Sequence, residues 1–161
     1  MSILVLGLGN SIMTDDGFGV EVVNTLSSRY HFQGEVCLVD GGTLGLDLLP
    51  YLENVESLLI IDALDMRDEP GRIFRLQGEE VPRAFASKLS VHQMGLQDLL
   101  AVAELQGHVP KRLVVWGVQP ESIEMGTELT PAVKKAVVAV IDNILDELQG
   151  WGISYAIRGT T

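Results

Sequence analysis

The chain has 161 residues, the size of one ordinary domain, and its 47% hydrophobic content is enough for a sizeable core. Eleven basic against 22 acidic side chains give a net charge of -11, which repels phosphate backbones and argues against nucleic-acid binding. A lone cysteine, Cys37, excludes an internal disulfide, and no apolar run reaches the roughly 20 residues that a membrane-spanning helix needs.

No charged n-region with an apolar run opens the sequence, so a soluble protein of the reducing cytoplasm, without membrane insertion, is expected. No repeat, linker or low-complexity segment divides it, and residues 1–161 read as a single domain. Residues 3–8 are an apolar run rich in branched side chains. A glycine-rich turn follows, and then Val20, Val22, Val23 and Leu26 at helical spacing. The pattern of strand, loop and helix recurs: a strand at 36–39 ends in Asp40, a glycine turn follows, and Leu46, Leu48, Leu49 and Leu52 predict a helix. Residues 58–61 form a continuous apolar strand ending at Asp62. Such unbroken runs belong to parallel strands covered on both faces, which predicts an α/β doubly wound sheet.

Residues 72–76 alternate charged and apolar side chains, as a half-exposed edge strand does. A helix is predicted over 94–105, a buried strand over 113–118, and a last helix from Pro131 to about Gln149 with Thr130 as its N-cap. Residues 150–161 lack periodicity and are expected to be loosely held. Cys37, inside an apolar strand without a basic neighbour, reads as packing and not as a nucleophile, while His31 and His108 read as surface residues.

In open α/β sheets the ligand crevice lies beyond the carboxyl ends of the strands. Asp16 in the first loop, Asp40 after the second strand and Asp62 after the third mark those ends, although each is also a common loop or capping residue. His92 sits just ahead of a helix that must run antiparallel to the strand at 113–118. Its start therefore returns to the same edge. Two carboxylates and an imidazole suit a divalent transition metal with open positions, and nothing in the residue types selects zinc, nickel, iron or manganese. Gly7-Leu8-Gly9 also resembles the start of a dinucleotide fingerprint, with Asp40 as the ribose ligand. Against this, the third glycine position is Ile12, and Asp15 and Asp16 would face a pyrophosphate.

Several blocks, in order over about residues 3 to 140, carry a family resemblance. They are Gly7-Leu8-Gly9-Asn10 with Asp15-Asp16-Gly17-Phe18-Gly19, then Asp40-Gly41-Gly42-Thr43-Leu44-Gly45, Ile61-Asp62-Ala63 and Ser90-Val91-His92-Gln93-Met94-Gly95-Leu96. Gly117-Val118-Gln119-Pro120-Glu121 and Leu129-Thr130-Pro131 complete the set. Together they resemble the maturation endopeptidases of nickel-iron hydrogenases. The resemblance implies a phosphorylase/hydrolase-like three-layer α/β/α sandwich, whose five-stranded, mainly parallel twisted sheet carries one antiparallel strand.

It further implies metal ligation and catalysis by Asp16, Asp62 and His92, and a substrate that is the precursor of the hydrogenase large subunit. From this precursor a short C-terminal extension is removed once nickel is inserted, the nickel being carried by the substrate; another divalent metal can occupy the site in the isolated protein. On that basis Gly41, Gly42 and Thr43 are expected to bind the substrate backbone, since glycine permits close approach, though a tight turn would use the same glycines. Asp40 is a secondary candidate for a general base. A monomer is expected, and the rival reading of the same ligands is a non-enzymatic nickel-binding maturation chaperone.

Overall fold

The computed structural model describes residues 2–42, 45–81, 100–101, 103–107 and 109–159. Strands β1 (Ser2–Leu8), β3 (Glu35–Gly42), β4 (Ser57–Ala63), β5 (Ile73–Gln77) and β6 (Arg112–Val118) form one sheet in the order β3-β1-β4-β6-β5. All neighbours are parallel except β5, which runs antiparallel to β6 at the edge, so the expected sheet and its edge strand are both present. Helices α1 (Phe18–Arg29) and α2 (Pro131–Gly150) cover one face. A 3-10 helix, Gly45–Leu52, lies against the other face together with Val81 and Ala103.

The apolar runs explain why both faces are covered. Along β1, Ile3 and Val5 enter the core beneath the two helices while Leu4, Leu6 and Leu8 enter the opposite one. Along β4, Leu59, Ile61 and Ala63 take the first side and Leu58 and Ile60 the second. A strand's period of two sends successive side chains to opposite faces, so an unbroken run needs a cover on each side. The predicted helix at 46–52 is of the tighter 3-10 kind and contains Pro50, which has no amide hydrogen to give to an α-helical ladder.

Helix α1 approaches the sheet through Gly19. A side chain there would collide with the carbonyl oxygens of Leu8 and Ile61, both backbone atoms that cannot step aside. Gly19→Ala is therefore expected to cost roughly 1–3 kcal/mol, at the upper end of that range, by levering α1 off β1 and β4. A urea midpoint equal to that of the unaltered chain would show that the helix can shift freely. At the far edge, Arg75 of β5 makes a two-pronged contact with Glu147 of α2, at 2.8 and 3.1 Å, and its guanidinium lies 6.0 Å from the Trp116 ring centre. The hydrogen bond to Glu147, reinforced by the charges of Glu147 and Glu80 and opposed by burial, holds the Arg75 pKa above its ordinary value.

Three local expectations change. Residues beyond Gly150 do not trail away: β7 (Ser154–Ile157) pairs antiparallel with β2 (Tyr30–Gln33), and Tyr155 packs 5.5 Å from Tyr30 and 6.2 Å from Phe32. Cys37 is exposed and not packed in a core, because β3 is an edge strand; near it stand the acidic Glu35 and Glu53, which offer nothing to activate a thiol. Thr130 does occupy the N-cap position of α2, but its hydroxyl makes no capping bond, for a reason that lies in the first loop. His31 is exposed, as expected, and His108 falls outside the described residues.

Candidate functional site

The carboxyl ends of β1, β3, β4 and β6 share one edge of the sheet, and the loop after β1 folds back across it. Gly9 is the pivot. Its φ of +127° is open to glycine alone, its amide donates to the Gly42 carbonyl at 3.0 Å, and an added Cβ would fall on the Asp16 carbonyl oxygen. The same Cβ would stand 3.6 Å from Asp62 Oδ1. The backbone of Asp16 and the carboxylate of Asp62 thus flank one glycine, brought there from the ends of two adjacent strands.

Both carboxylates are held. Asp16 is almost completely buried and its Oδ2 accepts the Asn10 amide at 2.9 Å, which closes the loop from 10 to 16. Asp62 is fully buried and its Oδ1 accepts the Ala63 amide at 2.8 Å. The loop that leaves β4 is braced by Gln119, at the end of β6. Its Oε1 accepts the amides of Met66 and Asp68, at 2.7 and 3.2 Å, while its Nε2 donates to Asp65 Oδ1 at 3.1 Å and to the Pro120 carbonyl at 3.3 Å. In the sequence Gln119 stands only as one member of a motif. Its bracing role depends on β6 lying beside β4, which no local pattern reports.

The third expected ligand, His92, lies outside the described residues, as does Thr43. Among the described residues no group of three His, Cys, Asp or Glu side chains is arranged to hold a metal ion. Asp16 and Asp62 supply hard oxygen donors of the kind a divalent ion prefers, and a set of three would take its remaining donor from another segment.

Asp15 and Asp16 are neighbours in sequence with separate roles. Asp15 is fully buried and turns toward the connection between β6 and α2. Its Oδ2 accepts the amides of Glu121 and Ser122, at 2.8 and 3.0 Å. Its Oδ1 accepts the Thr130 amide at 2.8 Å, and the Thr130 hydroxyl donates to the carboxylate at 2.8–3.0 Å. The Thr130 side chain is committed here, which is why it does not cap α2. Charge-assisted bonds of this sort are about twice as strong as neutral ones, so Asp15 is a rivet between the first loop and residues 121–130.

Asp40 is not brought to this pair. It pairs in register with Gly7 on β1, so a whole strand separates it from β4, and its alternation places it with Val36 and Leu38 on the helix-covered side. Its carboxylate accepts the Gly42 amide at 3.1 Å and the side-chain amide of Asn24, on α1, at 3.4 Å. Asp62 alternates with Leu58 and Ile60 toward the opposite face. Gly41 has a packing reason of its own, since a Cβ there would press on Leu6, Leu8 and Leu48 at 2.8–3.2 Å. Gly42 is in the left-handed region, φ +48°, and a Cβ there would meet only Asp40 Oδ1, at 3.8 Å. The dinucleotide reading loses its loop: the Gly9 amide is taken by Gly42, and buried Asp15 and Asp16 fill the turn.

The sequence model of the hydrogenase maturation protease family matches residues 20–147. The hydrogenase expression/formation protein HupD of Bradyrhizobium diazoefficiens is 42% identical over 158 residues, covering 97% of this chain and 82% of that protein. The hydrogenase 2 maturation protease of Escherichia coli is 40% identical over 154 residues, 95% of this chain and 94% of that one. Among solved structures, the hydrogenase maturating endopeptidase HybD from E. coli superposes with a TM-score of 0.94 at 40% identity, covering 98% of both chains.

Proposed function

This chain belongs to the hydrogenase maturation protease family, and from that membership and the paired carboxylates at the strand ends we propose that it is the endopeptidase that trims a C-terminal extension from a nickel-iron hydrogenase large-subunit precursor after nickel insertion. The observation that supports this most is that the Asp16 backbone and the Asp62 carboxylate meet at Gly9, with the side chain of each acid already held by a backbone amide at the same edge of the sheet. In this reading the nickel arrives with the substrate. Asp16, Asp62 and His92 complete its coordination, and cleavage becomes conditional on loading. A docked ion supplies electrophilic polarisation of a carbonyl or water. The chain itself supplies position: Asn10 and Ala63 fix the carboxylates before the substrate arrives, so little ordering remains to be done on binding.

The same reading has the chain acting as a cytoplasmic monomer. No helix among the described residues is long and apolar enough to cross a membrane. The direct test offers purified nickel-loaded and nickel-free precursor in parallel and reads the C-terminus by intact mass. Loss of a short peptide from the loaded form alone is the expected result. Absence of cutting on a cognate, loaded precursor would move a nickel-delivering chaperone to first place, and cutting regardless of nickel would remove the checkpoint.

His92→Ala is expected to slow processing of the loaded precursor by at least roughly 10–100-fold, because even groups that only support a metal ligand have effects of that size. Near-normal processing by this variant would take His92 out of the site.

A further inference from the structure

Beside the paired acids the molecule displays large apolar side chains on a support that is anything but loose. Ile12 is 53% exposed, Ile123 56% and Met125 84%. The two segments that carry them are stitched together: the Gly126 amide donates to the Ile12 carbonyl at 3.0 Å and the Thr14 amide to the Gly126 carbonyl at 2.9 Å. The Thr14 hydroxyl also donates to the Glu124 carbonyl. Ser122 Oγ accepts the Glu124 amide at 3.2 Å, and Asp15 rivets both segments from below. Apolar residues held out rigidly into water gain nothing from folding, and such a patch next to a reactive site is the usual mark of a contact surface.

The surrounding charge says what would fit. Glu121, Glu124 and Glu128 are exposed around Ile123 and Met125, and no Lys or Arg occurs between Arg112 and Lys134, or between the start of the chain and Arg29. We propose that Ile12, Ile123 and Met125 form a ridge on which the precursor docks through a segment of apolar side chains flanked by lysine or arginine. The inference rests on the endopeptidase reading and adds to it where the partner sits. Ile12 belongs to the loop that the bond from the Asn10 amide to Asp16 closes, so a segment seated on the ridge reaches the Asp16 and Asp62 edge without spanning the fold. Because the support is already ordered, docking there costs little loop entropy.

The test measures the affinity of the full chain for immobilised, nickel-loaded precursor alongside the rate of cutting. Met125→Asp and Ile12→Asp are each expected to weaken binding about tenfold or more, the effect of losing an anchor at the centre of an interface. The rate at saturating precursor should change little. Glu124→Lys should weaken binding at low salt, with the difference vanishing at high salt. Val138→Asp, at a 62% exposed position on the far helix α2, serves as the control and should bind like the unaltered chain.

Cutting by the unaltered chain with undiminished affinity in the ridge variants overturns the ridge and leaves the endopeptidase reading standing. Weakened binding by the variants, when the unaltered chain binds but never cuts, supports the ridge and overturns that reading. A concentration-dependent dimer that Met125→Asp dissociates would assign the ridge to a second copy of this chain, and the proposal would fall.

Discussion

Replacing Asp15 with alanine is expected to lower the unfolding free energy by about 3–5 kcal/mol, more than any surface substitution in the molecule. The cost comes from what is left behind. Three backbone amides, those of Glu121, Ser122 and Thr130, lose their acceptor, and each stranded donor costs roughly 1–3 kcal/mol, less whatever water can recover. Thr130→Val takes away only the hydroxyl and should cost about 1 kcal/mol. Urea unfolding followed by circular dichroism would separate the cases, since the midpoint moves while the slope stays constant if only stability changes. The Asp15→Ala variant should also lose processing out of proportion to the fraction unfolded, because the loop bearing Asp16 is no longer tied to residues 121–130. An unchanged urea midpoint would mean that these bonds are replaced by water at no cost, and that the rivet is not one.

The opposite pattern is expected at Asp62. Asp62→Asn should cut the rate on nickel-loaded precursor by more than about 100-fold, since it removes a charged donor of the proposed site and not merely a supporting group. Stability should change little. Asparagine keeps the shape of the side chain and an oxygen for the Ala63 amide. The measurement pairs an intact-mass time course with a thermal melt. Processing within a few-fold of the unaltered chain would dismiss Asp62 from the mechanism, and a melt that falls in step with activity would make it a structural residue. The two variants together distinguish Asp15, which holds the first loop in place, from Asp62, which serves the proposed chemistry.

Some of this is legible in the sequence alone. Unbroken apolar runs locate β1 and β4, and the charge that ends the second locates Asp62, because a strand buried on both faces must place its first polar residue where the cover stops. Alternation in β5 marks an edge strand. What stays hidden is the information carried between distant segments. The partners of Asp15 lie more than a hundred residues away, so nothing near it announces its role. Cys37 sits in a strand as apolar as the others, and its exposure follows from strand order alone. Asp40 and Asp62 both end strands, yet pairing register decides which face each addresses, and it sends them to opposite sides. Strands β2 and β7 have four residues each, too few to show a period, and β2 follows α1 without a turn residue to announce it.

That small ladder bears on the order in which the molecule assembles. Tyr30 meets Ile157, so the pairing closes most of the chain into a ring, and only four residues on each side repay the closure. Local opening in a folded protein begins where buried contacts are few and backbone bonds face solvent, and two residues of β2 and three of β7 are exposed. The ladder is therefore expected to act as a clasp, the last piece to engage during folding and the first to exchange its amide hydrogens with deuterium. Because the ladder is a sheet of its own, its opening is expected to leave the five-stranded sheet, and the edge that carries Asp16 and Asp62, in place.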